Sequence, residues 1–332
     1  MQRIDLRLDV AGAAGAPPGK LELAATAFVP DTPSKDESPV VMFAIPGGGY
    51  GRGYFDMTFP GHVGFSQAEH HTAKGIVLIA LDPLGVGSSS LPDPAAISFE
   101  SLASTYDRAV TPLIERIRSG ALTPQLPAMP RVCAVGIGQS MGGIITILAQ
   151  GRHSTFDAIA PLGASAIHTQ LPQRTEAARL QVLGAHDYQP DAQLSGDEIA
   201  RSSALIPDFV YPFHWDDVPS DILAADMDGG YPLRKRVPAF GSGTIPTCAV
   251  LMMRPAAVAA EAAAVRVPVL VGVGERDVCP EPHREPMAYQ SSRDVSVYIV
   301  PRMAHMHNFA STRHLLWERL VHWARGCAAA TL

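Results

Sequence analysis

Short, nearly unbroken apolar runs recur along the chain: VVMFAI at 40–45, GIVLIAL at 75–81, RVCAVGI at 131–137, VPVLVGVG at 267–274 and VSVYIV at 295–300. A strand with one wet face alternates apolar and polar residues, whereas these runs need cover on both faces. That is the environment of a parallel sheet sandwiched between helices. Parallel neighbours cannot be joined by tight hairpins, so crossover segments must lie between the runs.

The intervening sequence supplies them. The spacing predicts helices over 61–75 and around 101–120, where Leu102, Tyr106, Ala109, Val110, Leu113 and Ile117 share one face. SMGGIITILAQG reads as a further helix, FDAIAPLG as a strand and STRHLLWERLVHWARG as a last amphipathic helix. Near the N-terminus, Ile4, Leu6 and Leu8, then Leu21, Leu23 and the run to Val29, alternate as a half-buried antiparallel pair. Strand–helix alternation predicts an α/β fold with a mostly parallel sheet flanked by helices. The pattern breaks near residue 166 and resumes near 263. The two closing strands have no sheet of their own, so 1–165 and 263–332 are expected to form one core interrupted by an inserted cap, 166–262.

With 47% apolar and 17% charged residues, a large core is easily filled. A net charge of -6 argues against a nucleic-acid partner, which calls for a basic stripe. MQRIDLRLDVAG lacks the apolar run of a leader, and no apolar stretch is long enough to span a bilayer, so the chain reads as cytoplasmic and not membrane-bound. Cys133, Cys248, Cys279 and Cys327 are scattered and predict neither disulfides nor a metal site. His214 with Asp216 and Asp217 is read as solvated polar residues; no metal and no cofactor is expected.

Gly138-Gln139-Ser140-Met141-Gly142 fits G-x-S-x-G between an apolar strand and an apolar helix. Small neighbours let a sharp strand-to-helix turn lift the Ser140 hydroxyl above the sheet, beside the free N–H groups of a helix start. Strand 40–45 runs into Pro46-Gly47-Gly48-Gly49-Tyr50, whose backbone could turn N–H groups inward. Met141 and Gly48 are the expected oxyanion donors, with Gly49 as the alternative. Asp277 and His305 each follow a later strand, so that Ser140, Asp277 and His305 gather at the carboxyl edge of the sheet. Glu275 is a rival acid and His307 a rival base. His70 and His71 are read as ordinary helix residues.

Together these residues resemble the α/β-hydrolase superfamily over roughly 1–165 and 263–332. Leu81-Asp82-Pro83-Leu84-Gly85-Val86-Gly87-Ser88 is similar to an architectural D-x-x-G-x-G-x-S segment of that family. Where relatives often carry His-Gly, this chain has Pro46-Gly47, and Ala304 precedes the histidine in place of a common glycine. The resemblance implies a serine hydrolase with a lid over its site, and Ser140 disfavours the branches that use an aspartate nucleophile. Tyr50, Phe213 and Trp215 are expected to line the pocket; Phe209, Tyr231, Phe240, Met252 and Met253 add apolar surface, as pocket roof or as the cap's own core. A carboxylic ester or lactone of a medium-sized, partly apolar small molecule is the expected substrate. C–C bond hydrolysis, acyl transfer and a non-catalytic small-molecule receptor stay open, as does a homodimer built on apolar cap surface.

Overall fold

A computed structural model describes residues 1–34, 36–187, 206 and 208–330; residues 188–205 and 207 of the expected cap lie outside that description. The described residues build an eight-stranded sheet: β1 (Gln2–Asp9), β2 (Glu22–Val29), β3 (Val40–Ile45), β4 (Val77–Leu81), β5 (Cys133–Gln139), β6 (Ala158–Leu162), β7 (Val269–Arg276) and β8 (Val295–Ala304). Their spatial order is β1-β2-β4-β3-β5-β6-β7-β8. β1–β2 and β2–β4 pair antiparallel, and every later pair is parallel.

Among the described residues the α-helices are α1 (Gln67–Thr72), α2 (Phe99–Arg118), α3 (Met141–His153), α4 (Glu176–Asp187), α5 (Val210–Phe213), α6 (Ser220–Met227), α7 (Ala259–Ala264) and α8 (Arg313–Ala330). The apolar runs feed two cores, one per face of the sheet. In β3, Val41, Phe43 and Ile45 face the side covered by α2, α3 and α7, while Val40, Met42 and Ala44 face that of α1 and α8. β4 divides in the same way, with Val77, Ile79 and Leu81 opposite Leu78 and Ala80. That two-residue period with both sides apolar is the physical meaning of an unbroken run. The sides of the sheet thus leave the chemistry to its edge.

Two expectations change. β2 is buried along nearly its whole length, because it lies between β1 and β4 and sends Ala25 and Ala27 to one core and Phe28 to the other. The helix expected over 61–75 shrinks to α1: Gly61 and Gly64 take left-handed φ of 78° and 73°, and Ser66 starts the helix by accepting the Glu69 N–H at 3.0 Å. α2 opens on a reciprocal Ser98–Ser101 capping box. The segment between β6 and β7 holds α4 to α7 among its described residues. No helix among the described residues is long and apolar enough to cross a membrane.

Candidate active site

Ser140 sits between β5 and α3 at φ 55° and ψ -119°, a conformation that costs a non-glycine residue about 1–3 kcal/mol. Its neighbours show how the turn survives. A Cβ on Gly138 would lie 2.1 Å from the Gly142 carbonyl oxygen, and one on Gly142 would lie 2.2 Å from that of Ile45. β5, α3 and the end of β3 therefore close to distances that only glycine permits. The Ser140 N–H donates to the Leu162 carbonyl at 2.7 Å, tying the turn to β6.

The acid arrives from β7. A register shift between Gly274 and Arg276 disturbs the β7–β8 ladder immediately before Asp277, the kind of irregularity that re-aims a side chain. Asp277 then accepts N–H bonds from Gly274 at 2.8 Å and Val278 at 2.7 Å. β8 runs on to Ala304, so His305 is the first residue beyond the strand. Its Nε2 lies 2.8 Å from the Ser140 Oγ and its Nδ1 2.6 Å from one Asp277 oxygen. The other oxygen lies 2.7 Å from Nε2 of His307. Burial raises the Asp277 carboxyl pKa, but the nearby imidazoles of His305 and His307 and their hydrogen bonds outweigh it, holding the group well below the usual carboxylate range. The carboxylate can only accept, so Nε2 of His307 donates to it. Glu275 instead accepts the Arg302 backbone N–H at 2.8 Å on the exposed side.

Ser140 and His305 open onto a cavity of about 150 Å³, walled by Met141, Ile144, Leu171, Ile206, Phe209, Phe213, Tyr231, Ile245, Met252 and Met253, with Gly48 at its edge. Its described lining has no Asp, Glu, Lys or Arg. The Met141 N–H belongs to the first turn of α3 and has no partner within the helix. Gly47 packs against the serine, since a Cβ there would lie 3.0 Å from that of Ser140. Gly49 stands off the cavity in a left-handed turn with φ 79°.

Two residues expected in the pocket are elsewhere. The Tyr50 side chain is fully buried behind the glycine turn, among Tyr54, Tyr231, Phe240 and Phe309. Trp215 follows α5 and lies under Arg276, whose guanidinium sits 4.6 Å from its ring and 3.9 Å from that of Tyr211. Phe213 does line the cavity, its ring 5.2 Å from that of His305. His214, Asp216 and Asp217 part company: His214 is buried against Asp226 at 2.7 Å, while Asp216 pairs with Arg276 and Asp217 with Ser311. Asp82 is buried, accepts from the backbone N–H groups of Arg52 and Ser88, and pairs with the Arg52 side chain.

Sequence reasoning missed several contributors. Gln139 donates its side-chain N–H to the His305 carbonyl at 2.9 Å. The backbone N–H groups of His305 and Met306 donate to the Pro212 and Phe213 carbonyls at 3.0 and 2.9 Å, so the stretch between β6 and β7 anchors the histidine loop. The sequence offers His307 only as a rival base; its two-residue spacing from His305 is the signal that both reach one carboxylate. The partners of Gln139 and Pro212 leave no local trace in sequence.

No protein-family model and no curated protein sequence matches this chain. Solved structures do. A thermophilic esterase from Thermogutta terrifontis superposes with a TM-score of 0.61 at 15% identity, covering 99% of this chain and 100% of that one. A haloalkane dehalogenase loop variant from Bradyrhizobium elkanii gives 0.60 at 16% identity, covering 99% of each chain. The enol-lactonase from Burkholderia xenovorans gives 0.55 at 16% identity, over 94% of this chain and 98% of that one. Sheet order, the strand–serine–helix turn and these superpositions agree: the chain has the α/β-hydrolase fold.

Proposed function

We propose that this protein is a serine hydrolase that cleaves the carboxylic ester or lactone of a compact, uncharged, largely apolar acyl group. The observation that carries the reading is the continuous chain Ser140–His305–Asp277, with contacts of 2.8 and 2.6 Å opening into an apolar cavity. His305 takes the Ser140 proton as Oγ attacks the carbonyl carbon, and Asp277 stabilises the resulting imidazolium. The N–H groups of Met141 and Gly48 receive the developing oxyanion. Collapse expels the alcohol, protonated by His305, and water releases the acid from the Ser140 ester by the same steps in reverse. The segment between β6 and β7 serves as the cap, since it supplies Phe209, Phe213, Tyr231, Ile245 and Met252 to the cavity.

Cavities of about 150 Å³ lined by aliphatic and aromatic side chains take up a benzene-sized guest. A butyryl or benzoyl group matches that space more closely than a long fatty chain does. A charged acyl group would be desolvated there without a countercharge among the described lining residues.

A panel of p-nitrophenyl esters tests this directly. We expect the highest kcat/KM for butyryl and benzoyl esters, weak turnover of hexadecanoyl and succinyl esters, and none by Ser140→Ala. Inert esters alongside cleavage of a vinylogous diketone would replace the ester reading with C–C bond hydrolysis.

A further inference from the structure

A loop of three consecutive glycines has too much torsional freedom to aim an N–H group by itself. Its far end is tied to the core, where Asp82 accepts the Arg52 N–H at 2.5 Å. Its near end, Gly48 to Tyr50, is tied to the inserted segment. The Tyr231 hydroxyl donates to the Gly48 carbonyl at 3.0 Å, while Nε of Arg234 and the Ser242 N–H donate to the Gly49 carbonyl at 3.1 and 3.0 Å.

Behind these contacts lies a buried polar knot. The side chains of Asp226 and Arg234 are both fully shielded from solvent and meet at 2.7 Å. Arg234 also donates to the Asp226 backbone carbonyl. The remaining Asp226 oxygen accepts the Tyr50 hydroxyl at 2.8 Å and Nε2 of His214 at 2.7 Å. The Asp226 carboxylate accepts, so Nε2 of His214 donates to it, and the carboxylate has a donor on each oxygen. The Arg234 guanidinium also lies 5.0 Å from the Tyr50 ring and 5.2 Å from that of Tyr231. A Cβ on Gly49 would come within 2.9 Å of the Tyr231 ring. The fit therefore depends on glycine on one side and on the inserted segment on the other.

We propose that Asp226, Arg234 and Tyr231 are positioning residues for the oxyanion loop: they fix the Gly48 and Gly49 carbonyls and so aim the Gly48 N–H at the space above Ser140. The inference rests on the hydrolase reading. A buried ion pair adds little stability over apolar residues of the same volume, whereas a fork that grips a glycine backbone from outside supplies the order the glycines lack. The oxyanion site is then complete only while the inserted segment is seated, which couples the placement of the cap to the reactivity of the serine.

The test uses the full chain with Tyr231→Phe and Arg234→Lys, p-nitrophenyl butyrate turnover, and hydrogen exchange of the 47–51 backbone followed by mass spectrometry. Tyr231→Phe removes one hydroxyl and keeps the ring. We expect kcat to fall about tenfold, with KM changed by less than about threefold and the melting temperature retained. Arg234→Lys keeps the charge beside Asp226 but loses the fork, and we expect a drop of about a hundredfold. Both variants should exchange faster at 47–51. Wild-type kcat and wild-type exchange in both variants would overturn the proposal. So would a rise in KM alone, which would make Tyr231 a cavity wall and nothing more. Should Arg234→Lys fail to fold, Tyr231→Phe decides. If the wild type neither turns over esters nor reacts with a fluorophosphonate, the hydrolase reading fails separately; loop exchange then decides the positioning claim, faster exchange supporting it and unchanged exchange sinking it.

Discussion

At the scale of single residues, the site is organised around one carboxylate. Asp277 serves two imidazoles and two backbone N–H groups, so each of its oxygens is committed. His307 contributes a hydrogen bond to a charged group, worth about 1.5–3 kcal/mol. His307→Leu should lower stability by about 2 kcal/mol and kcat about tenfold with KM little changed. His307→Gln, which can still donate, should recover most of both in urea titrations and steady-state kinetics. A second residue predicts a pH effect unrelated to catalysis. His71 is fully buried on α1, its Nδ1 bonded to the Gln67 carbonyl, and burial lowers its pKa to about 4. Between pH 6.5 and 4 the unfolded chain binds a proton that the folded chain refuses. The contribution of His71 is therefore complete above pH 6.5 and falls by about 3 kcal/mol as the pH drops toward 4. Urea denaturation at pH 7 and pH 4.5 should show a smaller loss for His71→Gln than for the wild type; equal losses would contradict this.

At the scale of elements, glycine determines how closely strands and helices approach. Gly142 on α3 faces the Ile45 carbonyl at the end of β3, where a methyl group would sit 2.2 Å from the oxygen. Gly142→Ala should destabilise by about 3 kcal/mol, at the upper end of overpacking costs, and remove activity by displacing the glycine loop. Gly326 on α8 has open space where its Cβ would be, so Gly326→Ala should stabilise by about 0.5–1 kcal/mol. Thermal melts of the two variants should move in opposite directions. The same local logic made the β5–α3 turn readable: motif, strand and helix all lie within a short stretch. α1 was overread because its apolar pattern extended across Gly61 and Gly64, whose positive φ ends any helix there. Trp215 was misplaced because aromatic spacing says nothing about the Arg276 side chain that draws it away from the cavity.

At the scale of the whole molecule, the sheet brings three separated loops to one edge, where Phe213 and Tyr231 of the segment between β6 and β7 line the same cavity. The apolar runs made the sheet and its crossovers legible, because burial on both faces leaves a mark on every residue of a strand. The order of Ser140, Asp277 and His305 was legible for a related reason, since parallel strands present their carboxyl ends together. The Asp226–Arg234 knot was not. Its contacts join residues as far apart as Gly49 and Arg234, 185 positions along the chain, and no local pattern encodes such a pairing. The central claim is an activated serine at the edge of this sheet, and covalent labelling with a fluorophosphonate probe tests it most directly. The account predicts that wild type labels at Ser140, that Ser140→Ala does not label, and that His305→Ala labels at least about a hundredfold more slowly. A folded wild type that stays unlabelled, or a Ser140→Ala variant that labels as fast as wild type, would contradict it.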